Sequence, residues 1–160
     1  MKLSQNDLVW YGRNFTKDNV TYFDDSASGF EFCFTGTKAQ ITILSDSSNW
    51  NEENKGVLGI YVSKINPSDY KGNSLWNDFP EDVTQKIFLN EYENKIVLFE
   101  SEKQETVLIR VLKLSECAFG YAGLADLQID GELVKPTQRE DDALKIEFIG
   151  DSITCGYGIE

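Results

Sequence analysis

The strongest constraint on the fold of this chain is a strict alternation of side chains close to its start. Phenylalanines occupy every second position of residues 30–35, and smaller or polar residues lie between them. Because successive side chains of a β-strand point to opposite faces of a sheet, this pattern predicts a strand with one aromatic face. Gly36 then breaks the run, and residues 39–43 alternate again, which predicts a partner strand joined through a hairpin or a sheet corner.

Further runs rich in branched and aromatic residues predict more strands at residues 57–63, 85–89, 95–99 and 106–114. Asp130-Gly131 lies between two apolar triplets, a pattern typical of a two-residue hairpin. Helical periodicity is scarce. We therefore predict a mainly β chain in which residues 1–135 form a jelly-roll β-sandwich with little helix. Its core is expected to include Phe30, Phe32, Phe34, Ile41, Ile43, Ile109 and Val111.

The composition changes after this region. Residues 136–143 are polar and charged, which predicts a linker. Residues 144–149 are nearly all apolar, as in the first strand of an α/β domain, so residues 144–160 are expected to begin a second, incomplete domain. With no helices to cover that strand, we expect it to fray beyond Pro136, or to dock on an edge of the sandwich or on a second chain.

Charge limits the classes of partner. Asp and Glu number 27 against 15 Lys and Arg, a formal net charge of -12. Such a chain repels nucleic acid, so no nucleic-acid partner is expected. The N-terminus lacks the apolar stretch of a secretory signal, and no apolar run is long enough to cross a bilayer. We expect no membrane partner and a cytoplasmic location, or secretion if an export signal has been removed.

Cysteine and histidine content bears on metal and redox chemistry. Cys33, Cys117 and Cys155 form no Cys-x-x-Cys pair, and the chain has no histidine. We therefore expect three free thiols, no metal site and no cofactor. Cys33 falls inside the alternating strand, where a small buried apolar role is expected.

Two polar, turn-rich loops at residues 45–55 and 66–82 carry large aromatic rings. Such rings can stack on sugar faces, but they more commonly close the open end of a sandwich. The rings concerned are Trp50, Tyr70, Trp76 and Phe79.

The candidate chemistry lies at the end of the predicted strand 144–149, where Gly150, Asp151 and Ser152 follow. A serine there would present its hydroxyl at the carboxyl edge of a sheet, where α/β proteins open their crevices. If a helix begins at this point, the unpaired amide of Ser152 can also donate to an oxyanion. The alternative is that Asp151 or Ser152 only caps a helix or turn.

The longer context favours chemistry. Residues 146–158 read Ile-Glu-Phe-Ile-Gly-Asp-Ser-Ile-Thr-Cys-Gly-Tyr-Gly and resemble the first conserved block of SGNH (GDSL-type) hydrolases, specifically carbohydrate esterase family 2. Residues 10–13 and 29–37 look like the opening strands of that family's jelly roll. Residues 111–116 are similar to a later strand with a Lys-x-x-Glu pattern.

This resemblance implies a two-domain enzyme, a jelly roll joined to an SGNH domain, that deacetylates xylan, glucomannan or related sugars. It implies that Ser152 is the nucleophile and one oxyanion donor, that Asp151 shapes the nucleophile turn and that Gly150 permits the tight turn. The family's other oxyanion donors, a glycine and an asparagine, have no counterpart in these residues, and neither has its general base.

A serine hydroxyl is a weak nucleophile without a positioned base. We therefore expect these 160 residues to be inactive alone and to be the front part of a longer acetyl esterase acting on acetylated polysaccharide or oligosaccharide. A rival hypothesis is a non-catalytic carbohydrate-binding β-sandwich module. In a third, the sandwich is a packing platform that completes the active-site wall of the next domain.

Overall fold

A computed structural model describes residues 1–46, 55–70, 72 and 82–136 of the chain. Of the predicted linker at 136–143, residues 137–143 lie outside the described residues, and so do the predicted strand and serine motif at 144–160. So do Trp50, Trp76, Phe79 and Cys155.

The described residues form one antiparallel sheet. Its strands are β1 (Val9–Tyr11), β2 (Asn14–Lys17), β3 (Val20–Phe23), β4 (Gly29–Leu44), β5 (Val57–Lys64), β6 (Gln85–Phe88), β7 (Glu93–Lys113), β8 (Ala122–Ile129) and β9 (Glu132–Val134). Single 3-10 turns lie at Gln5–Asp7, Pro67–Asp69 and Cys117–Phe119. The mainly β fold predicted from the sequence is confirmed. None of the helical segments described is long and apolar enough to cross a membrane.

Strand β4 is the centre of the sheet. One of its edges pairs with β7 along nearly its whole length. The other edge is shared by three shorter strands, β1 opposite residues 29–31, β9 opposite 33–35 and β8 opposite 39–44. The strand order is β2-β3-β8-β4-β7-β5-β6, and the whole curls into a half-barrel.

The apolar face inside this curl is the main core. Every side chain predicted for the core is buried, and these residues belong to one cluster that draws on β3, β4, β5, β7 and β8. Phe30, Phe32 and Phe34 follow one another with ring centroids 6.5 and 6.0 Å apart. The period-2 pattern therefore correctly identified the face that is removed from water.

The opposite face is also covered around the middle of β4. Cys33, Tyr70 and Leu108 are buried together there, with Tyr61 and Val134 packed against them. In β7, Val107, Ile109 and Val111 face the main core, and Leu108, Arg110 and Leu112 alternate with them on the other face. Both rows are buried from Val107 to Lys113.

The break expected at Gly36 is a bulge in one long strand. β4 pairs with β7 on both sides of Gly36, and the register shifts between Gly36 and Lys38. Because residues 30–35 and 39–43 keep the same partner strand, the hairpin prediction is wrong and the corner alternative describes the bend. Similarly, the strands expected at 95–99 and 106–114 are both parts of β7.

Asp130-Gly131 does not turn the chain back, so the two-residue hairpin predicted there is also wrong. β8 and β9, on either side of the dipeptide, run in the same direction along β4. The chain passes so close to β4 at this point that a Cβ on Gly131 would lie 1.9 Å from the carbonyl oxygen of Thr35. The close approach of two backbones, rather than a turn, explains the glycine.

The domain division at residue 135 and the jelly-roll connectivity stay predictions. The last described strand ends at Val134, where the predicted sandwich ends.

Candidate functional site

The sequence-predicted site residues Gly150, Asp151 and Ser152 lie outside the described residues, so their roles stay predictions. The polar and aromatic groups that the structure does bring together belong to the sheet. Three of these groups have a defined geometry.

The first is a buried ion pair between neighbouring strands. Glu31 of β4 and Arg110 of β7 face each other in register, and an Nη nitrogen of Arg110 lies 3.0 Å from Oε2 of Glu31. The hydroxyl of Tyr11 donates to the same oxygen at 2.6 Å and accepts from Arg110 at 3.1 Å. The guanidinium carbon lies 4.8 Å from the centroid of the Tyr11 ring.

Burial, and next the carboxylate of Glu31, raise the pKa of Tyr11 far above its usual value. The phenol therefore stays protonated and acts as a fixed donor, which suits a structural tie better than proton transfer. The three side chains hold β1, β4 and β7 together on the face opposite the main core.

Beside this cluster lies Cys33, the small buried residue predicted from the sequence. Burial, with a smaller contribution from Glu31, raises the pKa of its thiol to about 12. A thiol that is protonated at neutral pH is a poor nucleophile. Cys33 therefore packs with Tyr70 and Leu108 and is not a second reactive centre. Tyr70 itself is buried against Cys33 and Leu108, so its ring is not available to stack on sugar.

The second group surrounds Lys113, the lysine of the Lys-x-x-Glu pattern. Its side chain is completely buried, and Nζ donates to the main-chain carbonyls of Ser115 at 3.1 Å and Glu116 at 2.7 Å. A carboxylate oxygen of Asp24 lies 3.5 Å away. Burial lowers the pKa of Lys113 and raises that of Asp24. Lys113 thus holds the turn after β7 by donating to the backbone carbonyl of Glu116, and not to the Glu116 carboxylate.

The third group is a row of three rings, made of Phe15 on β2, Tyr22 on β3 and Tyr121 immediately before β8. The rings of Phe15 and Tyr22 are stacked, with centroids 5.2 Å apart and planes 20° apart. Tyr121 meets Tyr22 edge-on at 5.3 Å. We refer to these three residues as the ring row.

The sequence-based predictions had not included the ring row, although a signal for it was present. Asp18 and Asn19 join β2 to β3 with φ of 50° and 63°, the left-handed pair of a two-residue hairpin turn. Asp and Asn tolerate that conformation better than other residues with a side chain. Reading this dipeptide as a turn would have placed Phe15 opposite Tyr22, as the register shows.

Solved structures of other proteins share the fold of this chain. No protein-family model and no curated protein matches the chain. Among solved structures, a family two carbohydrate esterase from Clostridium thermocellum in complex with cellohexaose is 25% identical, with a TM-score of 0.66 over 94% of this chain. A family two carbohydrate esterase from Cellvibrio japonicus is 17% identical, with a TM-score of 0.67 over 98% of this chain.

The fold is that found in family 2 carbohydrate esterases. An acetyl xylan esterase from Butyrivibrio proteoclasticus has the same fold at 15% identity, with a TM-score of 0.59 over 83% of this chain. The resemblance to family 2 carbohydrate esterases stated from the sequence is thus confirmed. The chain spans 40%, 39% and 32% of the lengths of the Cellvibrio, Clostridium and Butyrivibrio proteins.

Proposed function

We propose that this chain is part of a carbohydrate O-acetyl esterase that deacetylates xylan, glucomannan or a related sugar through Ser152. The observation that carries the proposal is the fold it shares with carbohydrate esterases, one of them an acetyl xylan esterase. The Gly150-Asp151-Ser152 sequence supplies the candidate nucleophile.

The proposed reaction is acyl transfer in two steps. A general base takes the proton of the Ser152 hydroxyl while the oxygen attacks the acetyl carbonyl, and the backbone N–H of Ser152 donates to the resulting oxyanion. The carbon–oxygen bond to the sugar then breaks, the sugar oxygen takes the proton from the base, and acetyl-serine remains. Water hydrolyses this ester, releases acetate and restores the serine hydroxyl.

Two neighbours of Ser152 serve this reaction by shaping the backbone. Gly150 allows the tight turn, and Asp151 holds the nucleophile turn in place. The general base is not among the 160 residues if it is a histidine, because the chain has none. We therefore propose that the base belongs to a part of the protein outside this sequence, and that these residues alone do not turn over ester.

The test is acetate release from acetylated xylan and acetylated glucomannan by the protein extended beyond Glu160. We expect Ser152→Ala to abolish release, since about 10⁴-fold or more of the rate in such enzymes depends on the activated serine. The matched control is Ser68→Ala, which removes an exposed serine hydroxyl. Release that persists in Ser152→Ala would refute the serine mechanism, and turnover by the 160 residues alone would refute the assignment of the base.

The second candidate function is that of a carbohydrate-binding module, in which the sandwich itself grips glycan. The exposed side chain of Phe15, at one end of the ring row, favours it, because an aromatic ring on a protein surface can stack on a sugar. The two candidates separate in one comparison. An esterase releases acetate and loses that release in Ser152→Ala, whereas a binding module binds glycan and releases no acetate in either form.

A further inference from the structure

We infer that a contact between Gly72 and Pro136 fixes the direction in which the chain leaves the sheet, and that it thereby positions the domain that carries Ser152. We refer to it as the exit contact. Its first consequence, a rigid chain exit, concerns the end of the described sheet alone. The second consequence, the position of the following domain, rests on the proposed two-domain esterase.

The segment that follows β5 crosses the face of the sheet opposite the main core. The backbone N–H of Ile65 donates to the carbonyl of Thr106 in β7 at 3.2 Å. Further along, the ring of Tyr70 is buried against Cys33 of β4 and Leu108 of β7. The segment therefore runs from β5 across β7 to β4, and burial of the Tyr70 ring holds it on the sheet.

Beyond Tyr70, this crossing segment reaches the place where the chain leaves the sheet. A Cβ on Gly72 would lie 2.7 Å from Cβ and 3.0 Å from Cγ of Pro136, and 3.8 Å from a methyl carbon of Val9. Val9 belongs to β1 and Pro136 follows β9, two short strands that pair with the same edge of β4. The segment thus connects the β5 side of the sheet to the edge at which the chain departs.

The exit contact requires glycine at position 72. The φ of Gly72 is 68°, in the left-handed region that residues with a side chain rarely adopt. A Cβ only 2.7 Å from the Cβ of Pro136 would lie far inside the optimal separation of two carbon atoms, so a larger residue would displace the proline. Pro136 cannot rotate its ring aside, because the ring includes its own backbone nitrogen.

Three constraints act on consecutive residues at the chain exit. Val134, the last residue of β9, is paired with Cys33 of β4. Lys135 precedes a proline, which restricts its backbone to extended conformations. The ring of Pro136 fixes its own φ at about −65°, and the exit contact packs that ring against the crossing segment. The direction of the chain at Pro136 is therefore set by the sheet.

A fixed exit limits where the following domain can lie. Pro136 is the first residue of the predicted linker, and because it is held against Gly72, only residues 137–143 of that linker separate the sheet from the next predicted strand. A shorter tether confines an attached domain to a smaller volume. Gly72 and Pro136 are thus positioning residues that act on Ser152 through the course of the chain and contact no reacting atom.

The first test measures backbone motion in the 160-residue chain by nitrogen-15 relaxation. We expect the amide of Thr137, directly after the exit contact, to have an order parameter of about 0.85 in the wild type and below about 0.6 in Gly72→Ala. The matched control is Gly12→Ala. Gly12 also has a φ of 68°, but its Cβ would meet Cβ of Ser28, at 2.9 Å, and not Pro136. We expect the control to retain the wild-type order parameter, and thermal unfolding checks that each variant keeps the fold.

A second variant removes the exit contact from its other side. Pro136→Gly deletes both ring atoms that a Cβ at position 72 would meet, so it should also lower the order parameter of Thr137. The double variant, Gly72→Ala with Pro136→Gly, should be no more mobile than Pro136→Gly alone, because both changes remove the same contact. Additive effects of the two substitutions would contradict the exit contact.

The second test uses the protein extended beyond Glu160 and measures its radius of gyration by small-angle X-ray scattering. We expect a larger value in Gly72→Ala than in the wild type, and no change in Gly12→Ala. An unchanged order parameter of Thr137 in Gly72→Ala, or an equal change in Gly12→Ala, would overturn the rigid exit. An unchanged radius of gyration in Gly72→Ala would overturn the positioning role.

The outcome for the exit contact is separable from the outcome for the esterase proposal. Ser152→Ala should leave the radius of gyration and the order parameter of Thr137 unchanged, whereas it should abolish acetate release. Persistent acetate release in Ser152→Ala would therefore refute the serine mechanism and leave the rigid exit standing. A change of scattering in Ser152→Ala as large as that in Gly72→Ala would contradict the positioning role.

Discussion

Glu31 and Arg110 form an ion pair in which the carboxylate is fully buried and the guanidinium side chain is 2% exposed. Removing both charges from water costs free energy. The attraction between the two side chains and their hydrogen bonds with Tyr11 offset that cost. Replacing one partner should therefore cost more stability than replacing both, because it leaves the other side chain charged and buried.

We predict that Glu31→Ala lowers the free energy of unfolding by about 3–5 kcal/mol, because it removes a buried negative charge paired with Arg110. The double variant Glu31→Leu with Arg110→Met should be clearly more stable than Glu31→Ala, since no charge is left unpaired. The control is Glu100→Ala, which breaks an exposed pair with Lys38 and should cost about 0–1 kcal/mol. Urea unfolding measures all three, and equal losses for Glu31→Ala and Glu100→Ala would contradict the argument.

Cys33 should be unreactive in the folded chain. Its thiol is buried and its pKa is about 12, whereas Cys117 is exposed. In a Cys155→Ser background, we expect Ellman's reagent at pH 8 to titrate one thiol in the native protein and two in denaturant. Adding Cys117→Ser should remove the native reaction, and rapid native labelling that persists there would show that Cys33 is accessible.

Asp130 should contribute an acid-sensitive part of the stability. Its carboxylate accepts from the hydroxyl of Thr37 and from the backbone N–H of Thr37 at 2.8 Å and of Lys38 at 2.9 Å. The Thr37 hydroxyl contributes most to lowering the pKa of Asp130 below its ordinary value of 3.8. A carboxyl with a lowered pKa stabilises the fold above its ordinary pKa, and this contribution is lost as the pH falls through the lowered value.

The corresponding measurement is the unfolding temperature between pH 2 and pH 7. Asp130→Asn keeps an acceptor for both N–H groups but has no charge to titrate, so its unfolding temperature should fall less steeply in acid than that of the wild type. Asp130→Ala, which removes the acceptor, should be the least stable of the three at neutral pH. Parallel acid profiles for wild type and Asp130→Asn would mean that this carboxylate contributes nothing.

Lys113 should govern local opening of the turn after β7. Lys113→Met removes the donor to the carbonyls of Ser115 and Glu116, so amides of residues 115–121 should exchange with solvent about tenfold faster or more. The matched control is Lys64→Met, a lysine on β5 whose side chain is 72% exposed in its pair with Glu105. Unchanged exchange in Lys113→Met would show that the turn is held by its other contacts.

The sequence predicted which side chains of each strand are buried better than it predicted how the strands are connected. Period-2 alternation is a local property, so the buried residues of β4 and β7 could be identified without knowing their partners. The bulge at Gly36 could not be identified in this way. Its backbone amides, those of Thr37 and Lys38, donate to Asp130, which lies 92 to 93 positions away along the chain. A glycine that ends a strand and a glycine within a bulge give the same local signal.

The candidate site, too, could be predicted from the sequence only in part. The serine motif is readable because its residues are adjacent in sequence, and what is confirmed is the fold that the described residues share with carbohydrate esterases. The partnership of Glu31 with Arg110 depends on strand register, which alternation alone does not determine. The ring row was accessible through the turn residues Asp18 and Asn19, a signal that the sequence-based predictions passed over.

The arrangement of β4 sets the order in which this protein can assemble. Its second edge is completed by β8 and β9, which follow it by about eighty residues of chain, and the backbone N–H of Leu3 is paired with Leu127. Until those late strands emerge from the ribosome, the phenylalanine row of β4 has an open edge and an incomplete cover. Folding should therefore be slow for the size of the domain, and the central strand cannot complete its pairing before residue 134 is available, so the newly made chain depends on protection from aggregation up to that point.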